Sequence, residues 1–228
     1  MNIKYDLNEI YPKVWLVTID NPYDLAMTFC RVQEFYESPF KEIRGKHFNM
    51  TEFQRMYSMK FGDGMFTYPI DWAGFNVPSH IIDKCYAYDK TFDDLNYYDY
   101  IIQSIDHQIT NSDRPVSKYY LIGSEPKSQN TIDHEVAHAF YYLYPKYRKA
   151  ADEITNKISE KTKQKIKKWL QSIGYNDKVF KDELQAYVAV DLNRIFDACN
   201  PNKKETKKLE KISKELQNLN NEYKNRKG

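Results

Sequence analysis

Two histidines four residues apart flank a glutamate in His134-Glu135-Val136-Ala137-His138. On a helix, residues i and i+4 share a face, so both imidazoles can aim at one metal ion. Glu135 stands one residue on, roughly 100° around the helix. There it is poorly placed to ligate beside both histidines, but it can reach a water held by the metal. Zinc lowers the pKa of such a water toward roughly 7, and a carboxylate can take its proton as it attacks a carbonyl. Val136 and Ala137 are uncharged, and Ala139 and Phe140 extend the apolar surface. The expected chemistry is amide hydrolysis with one Zn²⁺ held by His134 and His138, and Glu135 as general base.

The elements that must position this motif can be read from hydrophobic periodicity. The pattern predicts a helix from about Asn130 to Tyr144, stopped by Pro145. Ahead of it, residues 117–122 read as a strand that could serve as an edge for an extended peptide. After it, one long amphipathic helix is expected over about 147–173, with Gly174 as its terminating glycine, and another over about 178–198. From Lys203 on, Leu209, Ile212, Leu216, Leu219 and Tyr223 mark a helical seam.

The first half reads as a strand at 13–19, a helix beginning at Asn21-Pro22, and a second helix capped by Thr51 with Gln54. A strand at 65–70, an ordered loop at 72–78 and a helix over 92–108 follow. Asn111-Ser112-Asp113-Arg114-Pro115 is the clearest break. The sum is an α+β fold: a small twisted sheet, the His134–His138 helix beneath it, and a helical C-terminal half. Three regions are expected: a mixed α/β lobe over 1–112 suited to substrate recognition, a catalytic domain over 113–200, and an amphipathic helix over 201–228.

Composition narrows the partners. The 228 residues carry 34 basic and 32 acidic side chains, a net charge of +2, so no global field points to nucleic acid or an anionic membrane. The basic C-terminal segment reads as a solvated face. Cys30, Cys85 and Cys199 are odd in number and far apart, which fits reduced structural thiols. No secretory leader pattern and no apolar run of membrane-spanning length are visible, so the expected location is cytoplasmic, with leaderless delivery elsewhere as the exception. The expected partner is a protein or peptide substrate.

The motif and its surroundings resemble the zincin metallopeptidases, over about ten residues and one further element. Their extended pattern is met at every position of Thr131-Ile132-Asp133-His134-Glu135-Val136-Ala137-His138-Ala139-Phe140. A zincin needs a third protein ligand and one open position. The metzincin arrangement would place Gly at 141 and His at 144, where this chain has Tyr141 and Tyr144. The gluzincin arrangement draws a Glu from a later helix, for which Glu153, Glu160 and Glu183 are candidates. Glu153 follows too soon for the chain to return, and Glu160 lies in a Lys-rich stretch. Glu183 shares a face with Ala186 and Val190, which would let its helix approach closely, and it is the preferred ligand.

Glu183-Leu184-Gln185-Ala186 also looks like the ligand element of the lethal-factor branch of gluzincins. In that branch a tyrosine slightly upstream steadies the oxyanion. The resemblance therefore points to Tyr175 in this role, with Tyr141, Tyr187 and His107 as other possible donors. One departure stands out: many gluzincins have an acid four residues past the ligand to orient a histidine, and here that residue is Tyr187. Asp191 or a backbone carbonyl must then do so. The resemblance implies a metalloendopeptidase. Two rival readings keep the scaffold: a catalytically silent binding protein, and a delivered toxin or effector protease.

Overall fold

The computed structural model describes residues 3–87, 92–112, 115–175 and 177–226. It is α+β, with a small four-stranded mixed sheet and a helical C-terminal half, as the periodicity predicts. The chain divides into two compact units, Met1–Ser128 and Gln129–Gly228. The division falls later than the 112/113 boundary expected from sequence. Residues 113 and 114 of that expected break lie outside the described residues.

In the first unit, β1 (Asp6–Tyr11) and β2 (Val14–Thr18) form an antiparallel hairpin. β2 pairs in parallel with β4 (Tyr120–Ser124), which pairs antiparallel with β3 (Gly74–Pro78). The order β1-β2-β4-β3 therefore makes β4 an interior strand. Both of its edges are hydrogen-bonded, so the strand expected at 117–122 offers no edge to a peptide.

The helix α1 (Pro22–Glu37) starts as predicted, with the Asn21 side chain accepting from the Tyr23 and Asp24 amides. It packs closely on the sheet at Gly123, where an added Cβ would lie 2.3 Å from the Phe29 ring. Among the described residues the unit also holds the helices α2 (Met50–Phe61), α3 (Tyr68–Asp71), α4 (Ser79–Cys85) and α5 (Tyr97–Thr110).

Several local expectations are corrected here. Asn49, not Thr51, caps α2. The strand expected at 65–70 is a coil leading to the one-turn α3, and the loop expected at 72–78 contains β3. β1 escapes sequence reading because its Asp6 and Glu9 are exposed on an edge strand, which blurs the alternation. The helix expected from residue 92 begins at 97, because Asn96 and Asp99 close a capping box there.

Among the described residues the second unit contains helices and no strand. α6 (Gln129–Leu143) carries the His134–His138 motif. The long helix expected over 147–173 is two: α7 (Pro145–Thr155) and α8 (Glu160–Ser172), the latter capped by Ser159 accepting from the Thr162 amide. The helix expected over 178–198 is also two, α9 (Phe180–Val190) and α10 (Leu192–Cys199), broken at Asp191.

α11 (Lys203–Lys224) packs on α7 and α9, burying Leu209, Ile212, Leu216 and Tyr223. The seam read from sequence is thus satisfied within the unit. Its Leu219 is only half-buried, and the polar Asn220 takes the buried place instead. Among the described residues no helix is long and apolar enough to cross a membrane.

Candidate metal centre

α6 and α9 pack directly against each other. Small residues make the approach possible: Ala137 and Ala139 on α6, and Ala186 and Ala189 on α9, are all buried. The contact brings His134, His138 and Glu183 together, with one ligand atom from each lying within 4.8 Å of the others. All three side chains are buried. Glu153 and Glu160 are exposed, and Glu160 pairs with Lys163 at 3.0 Å.

The Glu183 carboxylate presents Oε2 to both imidazoles, 3.8 Å from His134 Nε2 and 3.6 Å from His138 Nε2. These separations are too long for hydrogen bonds. Oε2 is buried and has no hydrogen-bond partner among the described residues. A buried carboxylate oxygen without a partner is costly. Three ligands about 2.0–2.1 Å from one tetrahedral ion would sit roughly 3.3–3.5 Å apart, a few tenths of an ångström inside the two Glu183–histidine separations. Two nitrogens and an oxygen also suit zinc as a donor set. The residues present fit the ion.

The opposite side of each ring is also fixed. His134 Nδ1 lies 2.9 Å from Asp191 Oδ2, and His138 Nδ1 lies 2.8 Å from Asp182 Oδ1. A carboxylate can only accept, so each Nδ1 carries a hydrogen, and in the neutral ring the lone pair is then on Nε2, the atom facing Glu183. This is the tautomer a metal-binding histidine needs.

Burial disfavours charge on both rings. For His134, the Asp191 hydrogen bond and the adjacent Glu183 carboxylate more than offset it and raise the ring to about 9. His138 is also raised despite burial, mainly by the charges of Asp182 and Glu183. Four carboxylates, Glu135 among them, thus give the site a field that favours a cation.

Glu135 is buried beside the two histidines on α6. Tyr175 reaches the same place by a turn. Gly174 adopts φ +105°, its amide bonds the Gln171 carbonyl at 3.2 Å, and the Tyr175 amide bonds the Leu170 carbonyl at 3.0 Å. This Schellman closure of α8 turns the chain back, and the Tyr175 hydroxyl comes to 3.5 Å from that of Tyr187. Burial first, then the Glu183 charge, pushes the Tyr175 phenol well above its usual value, and Glu135 adds to the shift.

Tyr187 itself stands with its ring edge-on to His134, centroids 4.7 Å apart, and with Trp169 on it at 4.9 Å. It fills the position where an orienting acid was expected. The other two candidate donors are occupied elsewhere. The Tyr141 hydroxyl donates to Asp152 at 2.8 Å, and His107, in α5, has its Nδ1 3.0 Å from the Asn111 side-chain amide.

Sequence reasoning named Asp191 as an orienting group but missed Asp182. The available signal was its place directly before Glu183, which puts two acids on adjacent faces of one helix. Compared with known family models, curated proteins and solved structures, the chain matches none.

Proposed function

We propose that this protein is a zinc-dependent metallopeptidase of gluzincin type. The observation that carries the reading is the buried Oε2 of Glu183, without a hydrogen-bond partner among the described residues, facing Nε2 of both His134 and His138. His134, His138 and Glu183 would hold one Zn²⁺, leaving a position open. When bound, the ion supplies Lewis-acid chemistry, acidifying water and polarising a carbonyl.

The chain's own residues account for the rest. Asp191 and Asp182 keep hydrogens on the two Nδ1 atoms, so once a ring is neutral its lone pair is on Nε2. Glu135 accepts the proton of the attacking water and returns it to the departing amine. Tyr175, set against the site by the Gly174 turn, is the donor to the developing oxyanion.

Metal analysis of the purified protein together with a peptide-library assay tests this reading. About one zinc per chain is expected, with hydrolysis that Glu135→Gln abolishes while zinc is retained. Metal-free protein at neutral pH, or a fully active Glu135→Gln variant, overturns it. Intact zinc without turnover over a broad library would instead make the chain a binding module.

A further inference from the structure

From Asp182 a row of buried polar side chains that packing does not require runs to α11. Gln185 Nε2 donates to Asp182 Oδ1 at 3.1 Å. Gln185 Oε1 lies 2.9 Å from the Tyr147 hydroxyl, and the same hydroxyl lies 2.5 Å from Asn220 Oδ1. Tyr147, Gln185 and Asn220 are 0, 0 and 5% exposed, in the middle of the α7–α9–α11 packing. Apolar residues would fill this space at lower risk, because a half-satisfied polar row is worse than none.

We propose that this row is a relay that makes the C-terminal helix part of the metal centre, with Tyr147, Gln185 and Asn220 as positioning residues for Asp182 and, through it, His138. The inference rests on the metal-site reading above.

The direction of the relay follows from its carboxylate end. Asp182 accepts from His138 and needs donors, so Gln185 must turn its NH₂ toward it. That leaves Gln185 Oε1 facing Tyr147, which must donate its one hydroxyl hydrogen there. The phenol oxygen is then an acceptor, and Asn220 must present its NH₂ to it. An amide does so by a half-turn of its end group. Every hydrogen bond from α11 to His138 is thereby assigned, and each donor points toward Asp182.

α11 is clamped at the same level by two other bonds. Gln217 Nε2 donates to the Ala189 carbonyl of α9 at 3.0 Å, and Lys224 pairs with Asp133, the residue before His134, at 2.6 Å. Both metal-bearing helices are therefore tied to α11.

The test titrates metal-free wild type and Tyr147→Phe with Co²⁺, reading the Co²⁺ absorption spectrum, and then measures Zn²⁺ affinity by competition. Partners one shell out typically change metal affinity 10- to 100-fold, so one bond further out we expect a roughly three- to tenfold loss with an altered Co²⁺ spectrum. Tyr223→Phe is the packing control. Its ring lies 5.1 Å from that of Tyr147 in the same aromatic cluster, and it should match wild type in both readouts.

Should Tyr147→Phe not fold, Gln185→Met takes its place, with a larger loss expected because Asp182 loses its donor directly. A folded variant with wild-type affinity and spectrum overturns the relay while leaving the metal site standing. Wild type that takes up no Co²⁺ overturns the metal site, and the relay with it.

Discussion

Asp191 accepts a hydrogen bond from His134 Nδ1 at 2.9 Å from a position where α9 has already ended. Its backbone, at φ −114° and ψ 41°, closes α9 and precedes α10. Asp191 lies one turn past Tyr187, whose ring packs on His134, so the two positions fall on nearly the same side of α9. The orienting group that Tyr187 does not supply thus comes from the residue one turn later, where α9 ends.

Asp191→Ala should therefore weaken zinc affinity about 10- to 100-fold, and Asp182→Ala should act similarly through His138. Each removes the acceptor that keeps a hydrogen on Nδ1. Both side chains are partly exposed, so the fold should tolerate either change. Competition with a chromophoric chelator measures the loss. Affinity equal to wild type in both variants would show that the carboxylates do not orient the rings.

Tyr175→Phe should retain zinc and lose kcat by about 10²- to 10³-fold with little change in KM, the pattern of a donor used only in the transition state. Steady-state kinetics on any cleaved peptide, alongside zinc content, decides it. A rise in KM alone would make Tyr175 a substrate contact. An unchanged kcat would pass the donor role to Tyr187, whose hydroxyl lies 3.5 Å away.

Gly174→Ala probes the turn that delivers Tyr175. At φ +105° an L side chain is strained, although open space surrounds the position. The cost is expected at about 1–2 kcal/mol, read from denaturant midpoints with an unchanged slope. Because the strain is relieved by moving the turn, activity should fall as well. Lost stability with full activity would separate the turn from the site.

The His134, His138 and Glu183 cluster was legible in the sequence because its signal is local. His134 and His138 need only a helix, and the apolar pattern of 130–144 supplies one. Glu183 was legible through its small-residue face, since Ala186 lets α9 approach α6. What could not be read were the helix breaks at 156–159 and at Asp191. In both places the apolar period continues across the interruption, with Ile158 buried in the first, so periodicity alone reads one helix where tertiary packing makes two. The same limit hid Asn220. A seam rule selects Leu219, whereas the row of polar partners behind Asp182 selects the residue after it.

A pH effect is expected in the first unit, at Glu34 in α1. Its side chain is buried and Oε2 has no hydrogen-bond partner among the described residues. Burial raises its pKa from 4.5 to about 7, and the Ser38 and Tyr68 hydroxyls with the Arg44 charge pull only part of the way back. Below pH 4.5 the carboxyl is protonated in both folded and unfolded chains and costs nothing. Between 4.5 and about 7 the unfolded chain releases the proton first, so stability falls as pH rises, by at most about 1.4 kcal/mol per unit. Above about 7 the folded form ionises too and the loss levels off. Glu34→Gln keeps the shape and removes the titration, so its stability curve should be flatter than wild type across pH 5–7. Denaturant unfolding at half-unit pH steps measures the difference between the two proteins. A difference that stays constant with pH would mean that Glu34 titrates alike in the folded and unfolded chains, and that the core around it admits water.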